Sequence, residues 1–302
     1  ILLLARAETL RSHAGQVAFP GGARDPEDAA SYQGNGTDEL HLAFNMEMLY
    51  LSWKPKALAK ALARWYAALP AGGWPNFTLS NHDQKRHASR FAAKNPEAQA
   101  ARMQIAAMLL LCVRGTPFIY YGEEIGMTNS RIPKKELRDP TGITFWPLDL
   151  GRDGERTPMQ WTSGTNAGFT GAGVRPWMRL GSDWKTVNVE VQQRDPGSLW
   201  HWYRRLIEIR SRQPVLQTGH FRFTQDGSRS VIAFRRSADE LPNDRATPPG
   251  TIDCYLNFSP KPRRVFLPAD AQVLLGNRRD GREILVRGEL VLAGYEALLV
   301  SF

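Results

Sequence analysis

Between residues 31 and 214 short apolar runs alternate with stretches of helical periodicity, and this alternation is the feature that most constrains the fold. Parallel strands need helix-length crossovers, so such a rhythm builds a parallel sheet or barrel covered by helices. Residues 39–45 read as the first strand, mostly apolar as buried parallel strands are. A helix over 56–69 follows, with Leu58, Ala61, Leu62, Trp65 and Leu69 at helical spacing, and Pro70-Ala71-Gly72-Gly73 ends it. Residues 76–80 form the second strand and run into Asn81-His82-Asp83. Pro96 marks the start of another helix, continued over 98–113 with Ala101, Ile105, Met108, Leu109 and Cys112 on one face. Gly115 suits its C-cap, and 116–121 is the third strand. A loop-rich insertion runs to about Pro196, and a last amphipathic helix over 199–212 turns Leu199, Trp202, Leu206 and Ile209 inward. Residues 215–302 are short strands divided by turn residues, the pattern of an all-β module without a helix, and residues 1–30 are an apolar strand and a glycine-rich turn. The expected division is therefore 1–30, 31–214 and 215–302.

Composition narrows the function classes. The chain has 302 residues with 42% hydrophobic content, which sets it apart from disordered polymers. Two cysteines, Cys112 and Cys254, are too few for a disulfide scaffold, and buried thiols in a reducing cytoplasm are expected. The longest apolar run, 103–113, is too short for a membrane span and stops at Arg114, while no basic segment precedes the apolar start in the manner of a signal peptide. The net charge of +9 comes from scattered arginines rather than a stripe on one helix. The expectation is thus no nucleic-acid partner and no membrane partner.

Reactive groups in parallel α/β folds collect at the carboxyl ends of strands, and Asn81-His82-Asp83 lies at such an end. A carboxylate beside an imidazole can grip vicinal hydroxyls, and the carboxylate can oppose a developing positive charge. Arg86 is placed to orient Asp83. Spacing leaves a second possibility equally open, that Asp83 caps the next helix.

The stretch Phe77-Thr78-Leu79-Ser80-Asn81-His82-Asp83-Gln84-Lys85-Arg86 resembles the fourth signature region of the α-amylase family of glycoside hydrolases, family 13. Asp38-Glu39-Leu40-His41-Leu42-Ala43-Phe44-Asn45 is similar to strand six of its α-glucosidases, and Gly115-Thr116-Pro117-Phe118-Ile119-Tyr120-Tyr121-Gly122-Glu123-Glu124 to strand eight. Phe145-Trp146-Pro147 and Gly151-Arg152-Asp153-Gly154-Glu155-Arg156-Thr157-Pro158-Met159-Gln160-Trp161 resemble its long loop. The resemblance covers roughly residues 31–302. It implies a partial (β/α)8 TIM barrel, strands six to eight, followed by an all-β sandwich domain. It implies further that Asp83 corresponds to the family's transition-state stabiliser, His82 to a histidine on sugar hydroxyls, and Arg156 to an arginine beside bound glucose. Arg156 could equally pin the insertion to the barrel. Glu123 and Glu124, adjacent on a strand, would point to opposite faces and serve as loop anchors.

Retaining glycosidases need a nucleophile and an acid/base, two carboxyl groups about 5–5.5 Å apart. In this family both precede the segment matching strand six, and neither signature occurs there. A complete barrel takes about 250 residues, more than 31–214 provide. The resemblance therefore implies an α-glucosidase-like hydrolase of α-linked glucosides, such as maltose or isomalto-oligosaccharides, inactive as this chain, with no cofactor and no metal assigned. Its partner would be an α-glucoside oligosaccharide or disaccharide. Residues 1–30, with Leu2-Leu3-Leu4-Ala5-Arg6-Ala7, Arg11, Gly15 and Phe19-Pro20-Gly21-Gly22, resemble instead the coenzyme A diphosphatases among the Nudix hydrolases, without the metal-binding glutamates that should follow. This reads as a junction of unrelated fragments near Ala30–Gly36. The alternatives are a Nudix fragment or a non-catalytic sugar-binding protein.

Overall fold

The computed structural model describes residues 4–5, 17–18, 44–69, 73–224, 230–238, 250–279, 281 and 283–302. The sequence reading of 1–30 thus falls outside the described residues except for two short strands, β1 (Leu4–Ala5) and β2 (Val17–Ala18), paired antiparallel. Most of the strand expected over 39–45 also lies outside them. Its end is described: Phe44 forms a parallel bridge to Asn76.

Helix α1 (Pro55–Ala68) begins at a proline, whose missing N–H costs nothing in the first turn, and buries Leu58, Ala61 and Leu62. Strand β3 (Asn76–Thr78) is wholly buried and pairs in parallel with β4 (Thr116–Phe118). The order Phe44–β3–β4 is the expected run of three parallel strands, shorter than the sequence suggested. A four-residue helix α2 (His87–Arg90) follows the turn after β3, and α3 (Pro96–Cys112) leads to β4. Asn95 caps α3 by accepting the Ala98 N–H at 2.8 Å.

Gly115 does not cap α3; that position is Val113, whose N–H bonds Leu109 O. Gly115 serves the sheet instead. Its φ is +144°, and a Cβ there would sit 2.8 Å from Pro75 O, the oxygen that accepts the Thr116 N–H and starts the β3–β4 pairing.

The insertion holds two short helices, α4 (Pro140–Phe145) and α5 (Val189–Arg194), among single turns of 3-10 helix. Helix α6 (Leu199–Arg212) has the expected bounds; Trp202, Tyr203 and Leu206 are buried, and Trp202 Nε1 donates to Gln104 O of α3 at 3.0 Å. A five-residue helix α7 (Pro214–Thr218) then crosses the expected start of the all-β module.

The strands that follow are β5 (His220–Phe223), β6 (Val231–Ser237), β7 (Ile252–Asn257), β8 (Arg263–Leu267), β9 (Ala271–Gly276), β10 (Ile284–Leu285), β11 (Gly288–Leu292) and β12 (Ala297–Ser301). Six of them form one antiparallel sheet, ordered β10-β9-β12-β7-β6-β5, while β8 and β11 form a separate ribbon. Alternation along the strands divides the sheet's apolar side chains between two cores. Val231, Ala233, Tyr255, Leu298 and Val300 pack with Val265 and Leu267 of β8 and Leu292 of β11. Ile232, Phe234, Cys254, Leu256 and Leu299 join the core formed by α1, α3 and α6.

That second contact explains why α3 buries more than the one face expected. Met103, Ala106, Ala107, Leu110 and Leu111 are buried together with Ile105, Met108 and Leu109, because the sheet covers the side that periodicity would leave to solvent. The β module and the α/β unit thus share one core, so the β module is not built to stand alone. Phe234→Ala should cost about 3–5 kcal/mol and shift tryptophan fluorescence and the far-ultraviolet sheet signal to the same lower urea midpoint. Separate midpoints for the two signals would show two independent cores.

Candidate active site

The turn after β3 is set by Asn81, whose Oδ1 accepts the N–H of Asp83 at 2.9 Å and of Gln84 at 2.7 Å. This turn presents Asp83 and His82 at the carboxyl end of the strand, both partly exposed, with His82 Nε2 3.4 Å from Asp83 Oδ2. Asp83 does not cap α2, whose N-cap is Arg86 without a side-chain bond.

The insertion supplies two guanidinium groups. Arg152 Nη1 and Arg156 Nη2 each donate to Asp83 Oδ1 at 2.9 Å, and Arg156 Nε donates to His82 O at 2.8 Å. Asp83, His82 and Arg156 are therefore brought together, and Arg156 joins the insertion to the strand tip. Exposed ion pairs of this kind add little stability. Their value is geometric, since charge-assisted bonds fix one carboxylate oxygen and leave Oδ2 toward His82.

Arg86 has a different place from the one its spacing suggested. It is buried, stacks on Tyr120 and Tyr121 at 4.8 and 4.6 Å, and donates to Tyr121 O at 2.5 Å and Glu155 O at 2.8 Å. A buried guanidinium takes the carbonyls that can satisfy it, and here these tie the loop after β4 to the insertion.

Sequence reasoning missed Arg152 as a partner of Asp83, and Asp139 behind it. Asp139 is buried; its Oδ2 accepts the Arg152 N–H at 2.7 Å and Nε at 3.1 Å, and its Oδ1 accepts Nη2 at 3.1 Å. Hydrogen bonds from the Arg152 side chain hold the Asp139 carboxyl below its usual range against the opposing effect of burial, and the same pairing raises Arg152. Asp153 Oδ2 in turn accepts the N–H groups of Arg138 and Asp139. Arg152 lies in the insertion, and no local pattern links it to a carboxylate 69 residues earlier.

Glu123 and Glu124 lie in a 3-10 turn, Glu123–Ile125, rather than on a strand, so strand alternation does not govern them. Glu123 is buried with its Oε1 3.3 Å from His87 Nδ1, which also lies 3.1 Å from Ser80 Oγ, and it anchors the loop after β4 to that after β3. Glu124 lines a groove of ≈ 410 Å³ together with Tyr121, Trp161, Phe169 and Trp177, and burial pushes its carboxyl above the usual range. Among the described residues no group of three or more His, Cys, Asp and Glu could hold a metal ion, and no helix is long and apolar enough to cross a membrane.

A depressed acid favours the folded state above its unfolded pKa and loses that contribution as pH falls through the folded value. Asp139 should therefore stabilise the chain fully above about pH 4 and progressively less on acidification below it. Urea midpoints measured between neutral and acid pH should fall less steeply for Asp139→Asn than for the parent. Parallel acid limbs would show that the Arg152 pairing contributes nothing.

The family described as "Alpha amylase, catalytic domain" matches residues 21–219. A probable alpha-glucosidase of Rhizobium meliloti is 37% identical over 215 residues, which is 71% of this chain and 38% of that protein. The alpha-glucosidase of Schizosaccharomyces pombe is 30% identical over 278 residues, 83% of this chain and 46% of that protein. Among solved structures, the trehalulose synthase MutB from Pseudomonas mesoacidophila MX-45 superposes with a TM-score of 0.77 at 25% identity, covering 91% of this chain and 53% of that one. An inactive double mutant of MutB in complex with isomaltulose superposes with a TM-score of 0.78 at 25% identity over the same shares. The chain thus spans less than half the length of these curated relatives. The Nudix resemblance of residues 1–30 is not borne out: the α-amylase match already begins at residue 21 and spans the stretch where a junction was expected. With its parallel strands and this match over most of its length, the chain belongs to the α-amylase family and holds part of that family's barrel.

Proposed function

We propose that this chain carries the charge-stabilising and sugar-binding side of an α-glucosidase active site, acting on α-linked glucosides such as maltose or isomalto-oligosaccharides by a retaining mechanism. The observation that carries the reading is the fixing of Asp83 Oδ1 by Arg152 and Arg156 at the tip of a parallel strand. In this reading Asp83 opposes the positive charge of the oxocarbenium-like transition state. His82 contacts sugar hydroxyls beside it, and Arg156 lies against the bound glucose while holding the turn. The division at 214/215 into a partial catalytic domain and a β-sandwich domain belongs to the same reading, supported by the change from α/β to antiparallel order there. A cytoplasmic setting is supported by two buried free thiols, Cys112 and Cys254.

Bond cleavage needs a nucleophile and an acid/base besides Asp83. The carboxylate joined to Asp83 through Arg152 is Asp139, and both of its oxygens are committed to Arg152, so it has no free oxygen to attack a sugar carbon. The expected outcome with p-nitrophenyl α-glucoside is no release of p-nitrophenol by this chain. Turnover that disappears in Asp83→Asn would overturn the inactivity while upholding Asp83; turnover indifferent to that substitution would overturn both.

A further inference from the structure

Two buried thiols take no part in the site. Cys112 ends α3 and Cys254 lies in β7, each 1% exposed and both free. They face each other in one core. Strand β6 pairs with β7 so that Phe234 opposes Cys254, and Arg236, on the same face of β6 as Phe234, donates from Nη1 to Cys112 O at 2.8 Å. The Cys254 thiol donates across this contact to the Cys112 sulfur, and burial pushes Cys254 well above the usual thiol range.

The surroundings of the two sulfurs differ. Arg236 is fully buried, and its hydrogen bonds run to the carbonyls of His220, Cys112, Leu216 and Gly219. Arg210 donates to Leu111 O at 2.7 Å and to Gly115 O at 2.8 Å, the carbonyls that flank Cys112 along the chain. The groups whose negative charge would favour both guanidiniums are Cys112 and Tyr66, and burial holds the Tyr66 phenol far above its usual range, so it stays neutral. At Cys254 the neighbouring carboxylate of Asp253 opposes negative charge instead. Reactive cysteines are found in electropositive surroundings, often beside a second cysteine that resolves the oxidised sulfur.

We propose that Cys112 and Cys254 form a redox-active dithiol which hydrogen peroxide converts to a disulfide, with Cys112 as the attacking sulfur, locking α3 to β7. The Cys112 sulfur attacks one peroxide oxygen; the O–O bond breaks, a water leaves, and the sulfur becomes a sulfenic acid, oxidised by two electrons. The Cys254 sulfur then attacks the Cys112 sulfur. An S–S bond forms, the S–O bond breaks, and the hydroxyl leaves as a second water with the Cys254 proton. Two thiols and one peroxide thus give one disulfide and two waters. Peroxide is close to water in size, so local opening of the α3–β7 contact admits it. The new bond closes a loop of about 140 residues and stabilises the fold by restricting the unfolded chain. This lock is independent of what the site at Asp83 does.

The test treats the full chain with a small excess of hydrogen peroxide, blocks free thiols after unfolding, and maps the peptides by mass spectrometry. One internal Cys112–Cys254 link is expected, with a urea midpoint raised by on the order of 1 M. Dithiothreitol should reverse both. Cys112→Ala and Cys254→Ala should lose the shift, and their midpoints under reducing conditions show that they fold. Dimedone should trap a sulfenic acid at Cys112 in Cys254→Ala, whereas Cys254 should remain a thiol in Cys112→Ala. Two free thiols after treatment, links between chains in place of the internal one, or dimedone on Cys254 alone would overturn the proposal. The link mapped in the parent decides the matter even where a variant does not fold.

Discussion

Two guanidinium groups on one carboxylate oxygen hold the site together. Asp83 sits at the tip of β3, and Arg152 and Arg156 reach it from 69 and 73 residues further along the chain. Their bonds tie the turn after β3 to the long insertion. Behind them each charge has a partner: Asp139 receives Arg152 through three bonds, and Asp153 receives the backbone that places Asp139. Arg86 performs the matching task below, linking Tyr121 and Glu155 by their carbonyls while it stacks on two tyrosines. Positioning of this kind suits a group that must meet charge developing in a transition state, because the cost of orienting it is met during folding.

The site is only as firm as the sheet beneath it. Strands β3 and β4 are three residues each and would be marginal alone. They are held because α3, which joins the turn region to β4, is buried on nearly every side between α6 and the antiparallel sheet. The sheet therefore works as the platform of the α/β unit, and its other face is closed by the β8–β11 ribbon. Stability and site geometry are coupled through this one helix.

Much of the framework was legible because it is written in local signals. The bounds of α6 follow from its apolar spacing, and α1 from its buried stripe. What periodicity could not show was the second partner of α3, since burial on all sides depends on strands more than a hundred residues away. Gly115 misled for a related reason: a glycine after a helix suggests a cap, but here the need is a close approach to Pro75 O. In the site, the residues readable by resemblance, Asp83, His82 and Arg156, do meet. Arg152 and Asp139 were hidden because an ion pair spanning two loops leaves no periodic trace. Arg86 was misassigned since a nearby charge is only one of the partners a guanidinium can take, and buried carbonyls won.

In the proposed function Asp83, fixed by its two arginines, faces a cationic sugar. This is tested most directly by titrating the chain with 1-deoxynojirimycin, a sugar-shaped ring with a protonatable nitrogen, and following backbone and histidine resonances. Shifts centred on His82, Asp83 and Arg156 that vanish in Asp83→Asn are predicted. Shifts centred elsewhere, or unaltered when that carboxylate is neutralised, would contradict it.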